Sequence, residues 1–288
     1  MSLRSTFISR LVAGAAVLAI LCAPGTSVQA QDYTVKIKKN IAYGPESLNK
    51  LDVYRPKELK SAPVLVFIHG GAWMSGDKSE YAELGKTFSG YHGLVTVVAN
   101  YRLSPEVQHP AHVEDVAAAI RWVVKNVGRY GGDPQHVFLF GHSAGGHLVS
   151  LVATDETYLA QVGLAPSAID GVVSASGAYD LSKLPLLVFG PAFVSAFGTT
   201  DKSVLKAASP VTYVGAGQAP LLITYAETDL PGLTSNAKSF HNLLTKKGLS
   251  SELQQLKGYD HYTEIASVNT GEPDSPMAMA VLQFVADH

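Results

Sequence analysis

Val137-Phe138-Leu139-Phe140-Gly141-His142-Ser143-Ala144-Gly145-Gly146 is an unbroken apolar run that passes through G-H-S-A-G into a helix-forming stretch. The run reads as a buried strand, and the G-H-S-A-G segment reads as a sharp strand-to-helix turn with Ser143 at its apex, the arrangement of a nucleophile elbow. The neighbours are small for a reason. A serine held in strained backbone geometry needs flanking residues without bulk, so that the turn closes and its Oγ stands clear of the sheet.

On either side of that turn, the other apolar runs are Val64-Leu65-Val66-Phe67-Ile68, Val95 to Ala99, Val172 to Ala175 and Leu221 to Tyr225. Continuous runs of this kind suit strands covered on both faces of a parallel sheet. Val35 to Ile41 and Leu51 to Tyr54 alternate instead, with turn chemistry at Gly44-Pro45-Glu46-Ser47, and predict an antiparallel start. A last strand is predicted at Glu252 to Leu256. Between the strands, Val116, Ile120, Val123, Val124 and Val127 mark one face of a helix from about Val113 to Arg129, stopped at Gly131-Gly132-Asp133-Pro134. Further helices are predicted at Leu148 to Ala153 and at Asn236 to Lys247, the latter closed by Gly248. The pattern is α/β: a mostly parallel sheet of about eight strands with helices on both faces.

One segment breaks the alternation. From about 183 to 218 the chain holds Leu184, Leu186, Leu187, Val188, Phe189, Phe193, Val194 and Phe197 with Pro185, Pro191 and Gly198, longer than an ordinary connection. It reads either as a small cap whose apolar side chains line an acyl or aryl pocket, or as an irregular helix packed on the core edge.

The 288 residues are 47% hydrophobic and 16% charged, and the formal net charge is -2, which leaves no basic field for nucleic acid and favours a small, roughly neutral ligand. Arg4 and Arg10, the apolar stretch Leu11 to Cys22 and the small-residue site Val28-Gln29-Ala30 predict a secretory signal peptide over 1–30, cleaved after Ala30. Its apolar core is shorter than the ~20 residues a spanning helix requires, so no stable membrane span remains after cleavage. The expected destination is the periplasm or the medium. Leu21 stands where a lipoprotein signal has a small residue, which argues against lipidation of Cys22. Cys22 is the one cysteine, so a processed chain of 31–288 holds no disulfide and is stabilised by packing. The histidines are scattered, no H-E-x-x-H occurs, and the glycines have neither Walker nor dinucleotide spacing.

A serine hydroxyl needs a base within hydrogen-bond reach and a third group to orient that base. With the nucleophile on such an elbow, the acid comes after a late strand and the histidine after the last, in the order Ser, Asp or Glu, His. Asp229, after the strand Leu221 to Tyr225, is the first choice for the acid, with Glu227 and Asp180 as competitors. His261 is the choice for the base, ahead of His241 and His288. His142 and His147 lie too close to the elbow in sequence to reach round to Oγ and read as structural. His69-Gly70-Gly71-Ala72-Trp73 comes after the strand Val64 to Ile68, where backbone N–H groups face the oxygen that gains charge in acyl transfer. Gly71, Ala72 and Ala144 are the oxyanion-hole candidates. His69 is expected to brace that loop by hydrogen bonding, and Trp73 either to form the pocket wall or to pack beneath the loop.

Taken together, these motifs resemble the α/β-hydrolase superfamily, and within it the carboxylesterases related to hormone-sensitive lipase, the bacterial feruloyl-esterase-like proteins, prenylcysteine methylesterase and kynurenine formamidase. The resemblance rests on H-G-G-A-W at 69–73, Gly76-Asp77-Lys78, Asn100-Tyr101-Arg102-Leu103, Glu114-Asp115, Tyr130-Gly131-Gly132-Asp133-Pro134 and G-H-S-A-G-G at 141–146. It covers nearly all of 31–288, which it implies is an α/β-hydrolase catalytic domain with a small cap. Ala72 departs from the third glycine usual in hormone-sensitive lipase relatives and places the chain nearer the H-G-G-x-W branch. The resemblance implies serine hydrolysis of small acyl or aryl esters by Ser143, Asp229 and His261 without metal or organic cofactor. Arylformamidase activity, a feruloyl or acetyl esterase acting on polysaccharide, and a silent binding protein on the same fold are the alternatives.

Overall fold

The computed structural model describes residues 32–288; the predicted signal peptide and Cys22 lie outside them. Eight strands form one sheet: β1 (Val35–Ala42), β2 (Lys50–Pro56), β3 (Ala62–Ile68), β4 (Val95–Ala99), β5 (Gly132–His142), β6 (Gly171–Ala175), β7 (Leu221–Thr228) and β8 (Ser251–Asp260). Their order across the sheet is β1-β2-β4-β3-β5-β6-β7-β8. β2 runs antiparallel to both β1 and β4, and every other pairing is parallel, which is the α/β-hydrolase fold with its antiparallel start. The exposed edge strand β1 carries Lys36, Lys38 and Lys39, charges that discourage pairing with another sheet edge.

The strands in the middle of the sheet are mostly apolar along their buried stretches because each face is covered there. On one face Val64, Val66 and Ile68 of β3 and Val137 and Leu139 of β5 pack under α2 (Ala111–Asn126), α3 (Ala144–Thr154) and α7 (Leu233–Lys246). On the other, Leu65, Phe67, Phe138 and Phe140 pack under α1 (Ala82–Gly90), α8 (Thr263–Asn269) and α9 (Pro276–Asp287). The alternation of neighbours between two cores is the period of two of an extended chain.

The predicted helices are present with shifted ends. α2 begins two residues before Val113, and beyond Asn126 the chain tightens into a 3-10 turn, Val127–Tyr130, that ends at Gly131 with φ 81°. α3 starts at Ala144, immediately after the elbow, rather than at Leu148, and α4 (Glu156–Gln161) follows it behind the N-cap Asp155. α7 starts at Leu233 behind Gly232, a left-handed N-cap. Among the helices not predicted, α9 carries an ordinary start signal: the Ser275 hydroxyl accepts from Ala278 N–H and Pro276 occupies the first turn. The segment 183–218 folds into α5 (Leu186–Phe197), α6 (Lys202–Ala207) and a 3-10 turn, Pro210–Thr212. Phe193 and Phe197 of α5 are buried in the core beside Trp73, while Leu187 is 97% exposed.

Candidate active site

Four parallel strands deliver residues to one end of the sheet: His69 after β3, Ser143 after β5, Asp229 after β7 and His261 after β8. The carboxyl ends of the strands are where open α/β sheets carry their ligands.

Ser143 has φ 56° and ψ -118°, a conformation that a non-glycine residue holds only when its surroundings impose it. Here the backbone is pinned on both sides, by Ser143 N–H to the Ala175 carbonyl at 2.8 Å and by His147 N–H to the Ser143 carbonyl at 3.0 Å. Gly145 is required by close approach, since a Cβ there would stand 2.1 Å from the Ile68 carbonyl oxygen. The elbow and β3 can therefore touch only through a bare backbone.

The structure brings the three predicted side chains together. His261 Nε2 lies 2.9 Å from Ser143 Oγ, and His261 Nδ1 lies 2.7 Å from Asp229 Oδ1. Asp229 also accepts from Leu230 N–H at Oδ1 (2.8 Å) and from the Ser176 hydroxyl at Oδ2 (2.7 Å). Burial pushes the Asp229 carboxyl up, but the hydrogen bonds from His261 and Ser176 outweigh it and hold the group below the usual carboxylate range. An ionised Asp229 makes His261 Nδ1 the donor and leaves Nε2 as an acceptor for the Ser143 hydroxyl. The side chains of His261 and Asp229 are 4% and 0% exposed, so water is kept from this chain of bonds except near Ser143.

The competitors are engaged elsewhere. Asp180 pairs with Lys206 at 2.7 Å, Glu227 accepts from Gly258 N–H, His241 meets the Ser251 hydroxyl, and His288 meets the Phe284 carbonyl. Ser176 carries no signal in the sequence beyond being a small polar residue just past β6. Only the fold carries it to Asp229, 53 residues away.

Gly71, Ala72 and Trp73 all have positive φ, at 109°, 53° and 61°. A Cβ on Gly71 would stand 2.1 Å from the Ser75 carbonyl, and Met74 and Ser75 N–H both bond back to the Gly71 carbonyl, closing a tight turn. The loop lies against the elbow: a Cβ on Gly70 would stand 3.1 Å from that of Ser143. Ala144 opens α3, so its N–H is not consumed by the helix ladder. His69 Nδ1 donates to the Gly70 carbonyl at 2.8 Å, its ring stacks on Tyr101 at 4.6 Å, and the Tyr101 hydroxyl donates to the His69 carbonyl. The motifs around the loop tie it down further. Arg102 makes two 2.8 Å bonds to Asp115, and Asn100 links Asp77 with the backbone of Lys78.

Trp73 is 2% exposed and packs beneath the loop rather than forming an open wall. Its indole N–H donates to His147 Nδ1 at 3.2 Å, and its ring meets Phe193 and Phe197 of α5. His147 Nε2 donates in turn to the Ala208 carbonyl at 2.9 Å, so this imidazole is neutral with its proton on Nε2. Burial drives its pKa down to about 3 from the ordinary 6.5. Between those values the unfolded chain binds a proton that the folded one does not, so stability falls as pH drops below 6.5. By pH 5 this one residue removes about 2 kcal/mol. His109 and His112, both lowered to about 4 by burial, act in the same direction. Urea unfolding at pH 7 and pH 5 should show a clear drop in midpoint; equal midpoints would mean that these imidazoles are protonated in the folded protein.

His142, His261 and Glu264 cluster closely enough to hold a metal ion, but His261 already uses both ring nitrogens for Ser143 and Asp229. A metal there would dismantle the hydrogen-bond chain. No described helix is long and apolar enough to cross a membrane.

The chain is 32% identical to esterase LipQ of Mycobacterium tuberculosis, over 79% of this chain and 58% of that protein. With esterase LipC of the same organism it shares 31% identity, over 86% of this chain and 64% of the other, so it spans about three fifths of the length of these relatives. The isoprenylcysteine alpha-carbonyl methylesterase ICME of Arabidopsis thaliana is 32% identical over 58% of this chain and 40% of its own length. Among solved structures, esterase B from Lactobacillus rhamnosis superposes with a TM-score of 0.75 at 18% identity, covering 90% of this chain and 89% of that one. The Pyrobaculum calidifontis esterase superposes at 0.71 with 22% identity, covering 90% and 87%, and both attest to the fold. The BD-FAE family profile matches residues 51–244, which include the glycine-rich loop, the elbow and Asp229, and the chain belongs to that family.

Proposed function

We propose that this protein is a serine carboxylesterase that hydrolyses small acyl or aryl esters through an acyl-enzyme on Ser143. The observation that carries the reading is the unbroken hydrogen-bond chain from Ser143 Oγ through His261 to Asp229. His261 takes the hydroxyl proton as Oγ attacks the ester carbonyl, then returns it to the departing alcohol oxygen. The Gly71, Ala72 and Ala144 N–H groups stabilise the negative oxygen of the tetrahedral intermediate. Water activated by the same imidazole then cleaves the acyl-enzyme. Only the neutral imidazole, with a free lone pair on Nε2, can take the hydroxyl proton. The names of LipQ, LipC and ICME, all esterases, support the reaction class.

The segment 183–218 serves as the cap in this proposal. Its Pro185 packs on Gly232 in the loop after Asp229, and its Phe193 and Phe197 pack on Trp73 under the oxyanion loop. Leu186, Leu187 and Val188 between these anchors are exposed and suit apolar acyl or aryl groups. Export on the strength of residues 1–30 belongs to the same proposal, and ester groups on polysaccharides would be accessible substrates there.

Hydrolysis of p-nitrophenyl esters from acetate to palmitate, with methyl ferulate and N-formylkynurenine alongside, tests the reading. Turnover of the shorter esters above the formamide is expected. Preference for N-formylkynurenine would move the protein to the arylformamidase class, and no hydrolysis of any member of the panel would sink the esterase proposal.

A further inference from the structure

Glu264 lies in the first turn of α8, three residues beyond His261, and its side chain is 0% exposed. Among the described residues, neither carboxylate oxygen has a hydrogen-bond partner. The charge-bearing group that approaches it is His142, the residue before the elbow serine, whose Nε2 lies 3.4 Å from Oε1. That nitrogen also donates to the His261 backbone carbonyl at 2.9 Å. The two imidazole rings are 4.9 Å apart, and ligating atoms of His142, His261 and Glu264 all fall within 4.8 Å of one another. A buried carboxylate is stable only when it is neutralised or paired, and among the described residues no Lys or Arg pairs with this one.

The other titratable groups nearby do not take that role. His261 is faced by Asp229, and by Asp260, whose carboxylate caps Tyr262 and Thr263. Glu264 is faced by the Tyr179 phenol beyond β6, which donates to Ser174. From the elements packed on α8, α1 brings Glu83 and Lys86, paired with each other in solvent, the turn before α1 brings Glu80 and Tyr81, and α9 brings Asp287 and His288 at its C-terminus.

We propose that Glu264 is a second buried carboxylate serving His261: through His142 it holds the backbone of the His261 loop, and its charge favours the protonated imidazole that forms as Ser143 attacks. It is a positioning residue with an electrostatic share in the same step. One proton is available to the two imidazoles at this spacing, since two buried cations 4.9 Å apart repel. The carboxylate compensates whichever ring carries it.

The inference rests on the esterase reading, and its test separates the two. The kcat/KM profile against pH for p-nitrophenyl acetate is measured with wild type, Ser143→Ala, Glu264→Gln and His142→Asn, with far-UV circular dichroism and thermal unfolding to verify folding. Removing the negative charge should move the acid limb of Glu264→Gln to lower pH by about one unit, because an opposite charge within ~4–6 Å favours the protonated base. His142→Asn keeps an N–H for the His261 carbonyl but leaves His261 as the one imidazole facing Glu264, so its limb should move to higher pH. A folded Glu264→Gln whose limb superimposes on wild type overturns the proposal while the esterase reading stands. If Glu264→Gln does not fold, His142→Asn decides alone: an upward limb supports the proposal and an unmoved one overturns it. Absence of Ser143-dependent turnover in the wild type defeats the esterase reading itself.

Discussion

Ser143→Ala should lower kcat for p-nitrophenyl acetate by about a millionfold, the loss seen when the nucleophile of a hydrogen-bonded triad is removed. The expected size comes from how the residue is held. Its backbone at φ 56° is imposed by the Ala175 and His147 bonds and by the contact of Gly145 with β3, none of which uses the hydroxyl. Alanine therefore leaves the elbow, the oxyanion loop and the His261–Asp229 bond in place and removes only the attacking oxygen. What remains is polarisation of the ester by the loop N–H groups, which in other triads retains some 10³–10⁴ of catalysis over water. Substrate should still bind, so KM should change little. A variant that keeps even a hundredth of wild-type kcat, in protein free of wild-type contamination, would show that the ester bond is broken by a route other than Ser143.

Asp229→Asn is expected to lower kcat by up to about ten-thousandfold with the fold intact. The carboxylate accepts three bonds, from His261 Nδ1, Leu230 N–H and the Ser176 hydroxyl. A carboxamide cannot accept at every one of those positions. If its NH₂ faces His261, the imidazole shifts its proton to Nε2 and presents an N–H to Ser143, so it is no longer a base toward the hydroxyl. If its NH₂ faces Ser176, the hydroxyl must turn to accept, and His261 keeps its tautomer but loses the ionic stabilisation of its protonated form. Either arrangement slows proton transfer. Circular dichroism and pre-steady-state acylation by p-nitrophenyl acetate check it: normal spectra with a slow burst are expected. Near-normal turnover would reassign the acid to Glu227 or Asp180, although Asp180 is held by Lys206.

The elements most legible in the sequence are those whose signal is local. β3, β4, β5, β6 and β7 contain the predominantly apolar runs, because a strand buried on both faces is apolar at most positions, although β5 begins at Gly132, ahead of its apolar run. The elbow is legible because a strained serine between a strand and a helix restricts its immediate neighbours, and those neighbours are adjacent in the chain. Helix ends are less legible. α3 begins at Ala144 because Ser143 itself terminates the strand, whereas apolar periodicity becomes visible only from Leu148. α1, α8 and α9 supply the second face of the sheet; α1 and α8 are short and interrupted by polar residues, while α9 is apolar from Met277 to Leu282.

Periodicity and neighbours a few residues apart are enough to specify the α/β architecture, the elbow at Ser143 and the chain order in which an acid and a base come after it. They do not specify which carboxylate faces His261, which proton each imidazole keeps, that Ser176 serves Asp229, or that Trp73 lies beneath the loop, pinned by His147; those belong to the folded chain. Ser143 and His261 are 118 residues apart, His142 and the His261 carbonyl 119, and Trp73 and His147 74. Contacts at such separations are set by strand order and crossover, which bring the carboxyl ends of distant strands to one end of the sheet, and no local pattern of residue types encodes a hydrogen bond that spans them.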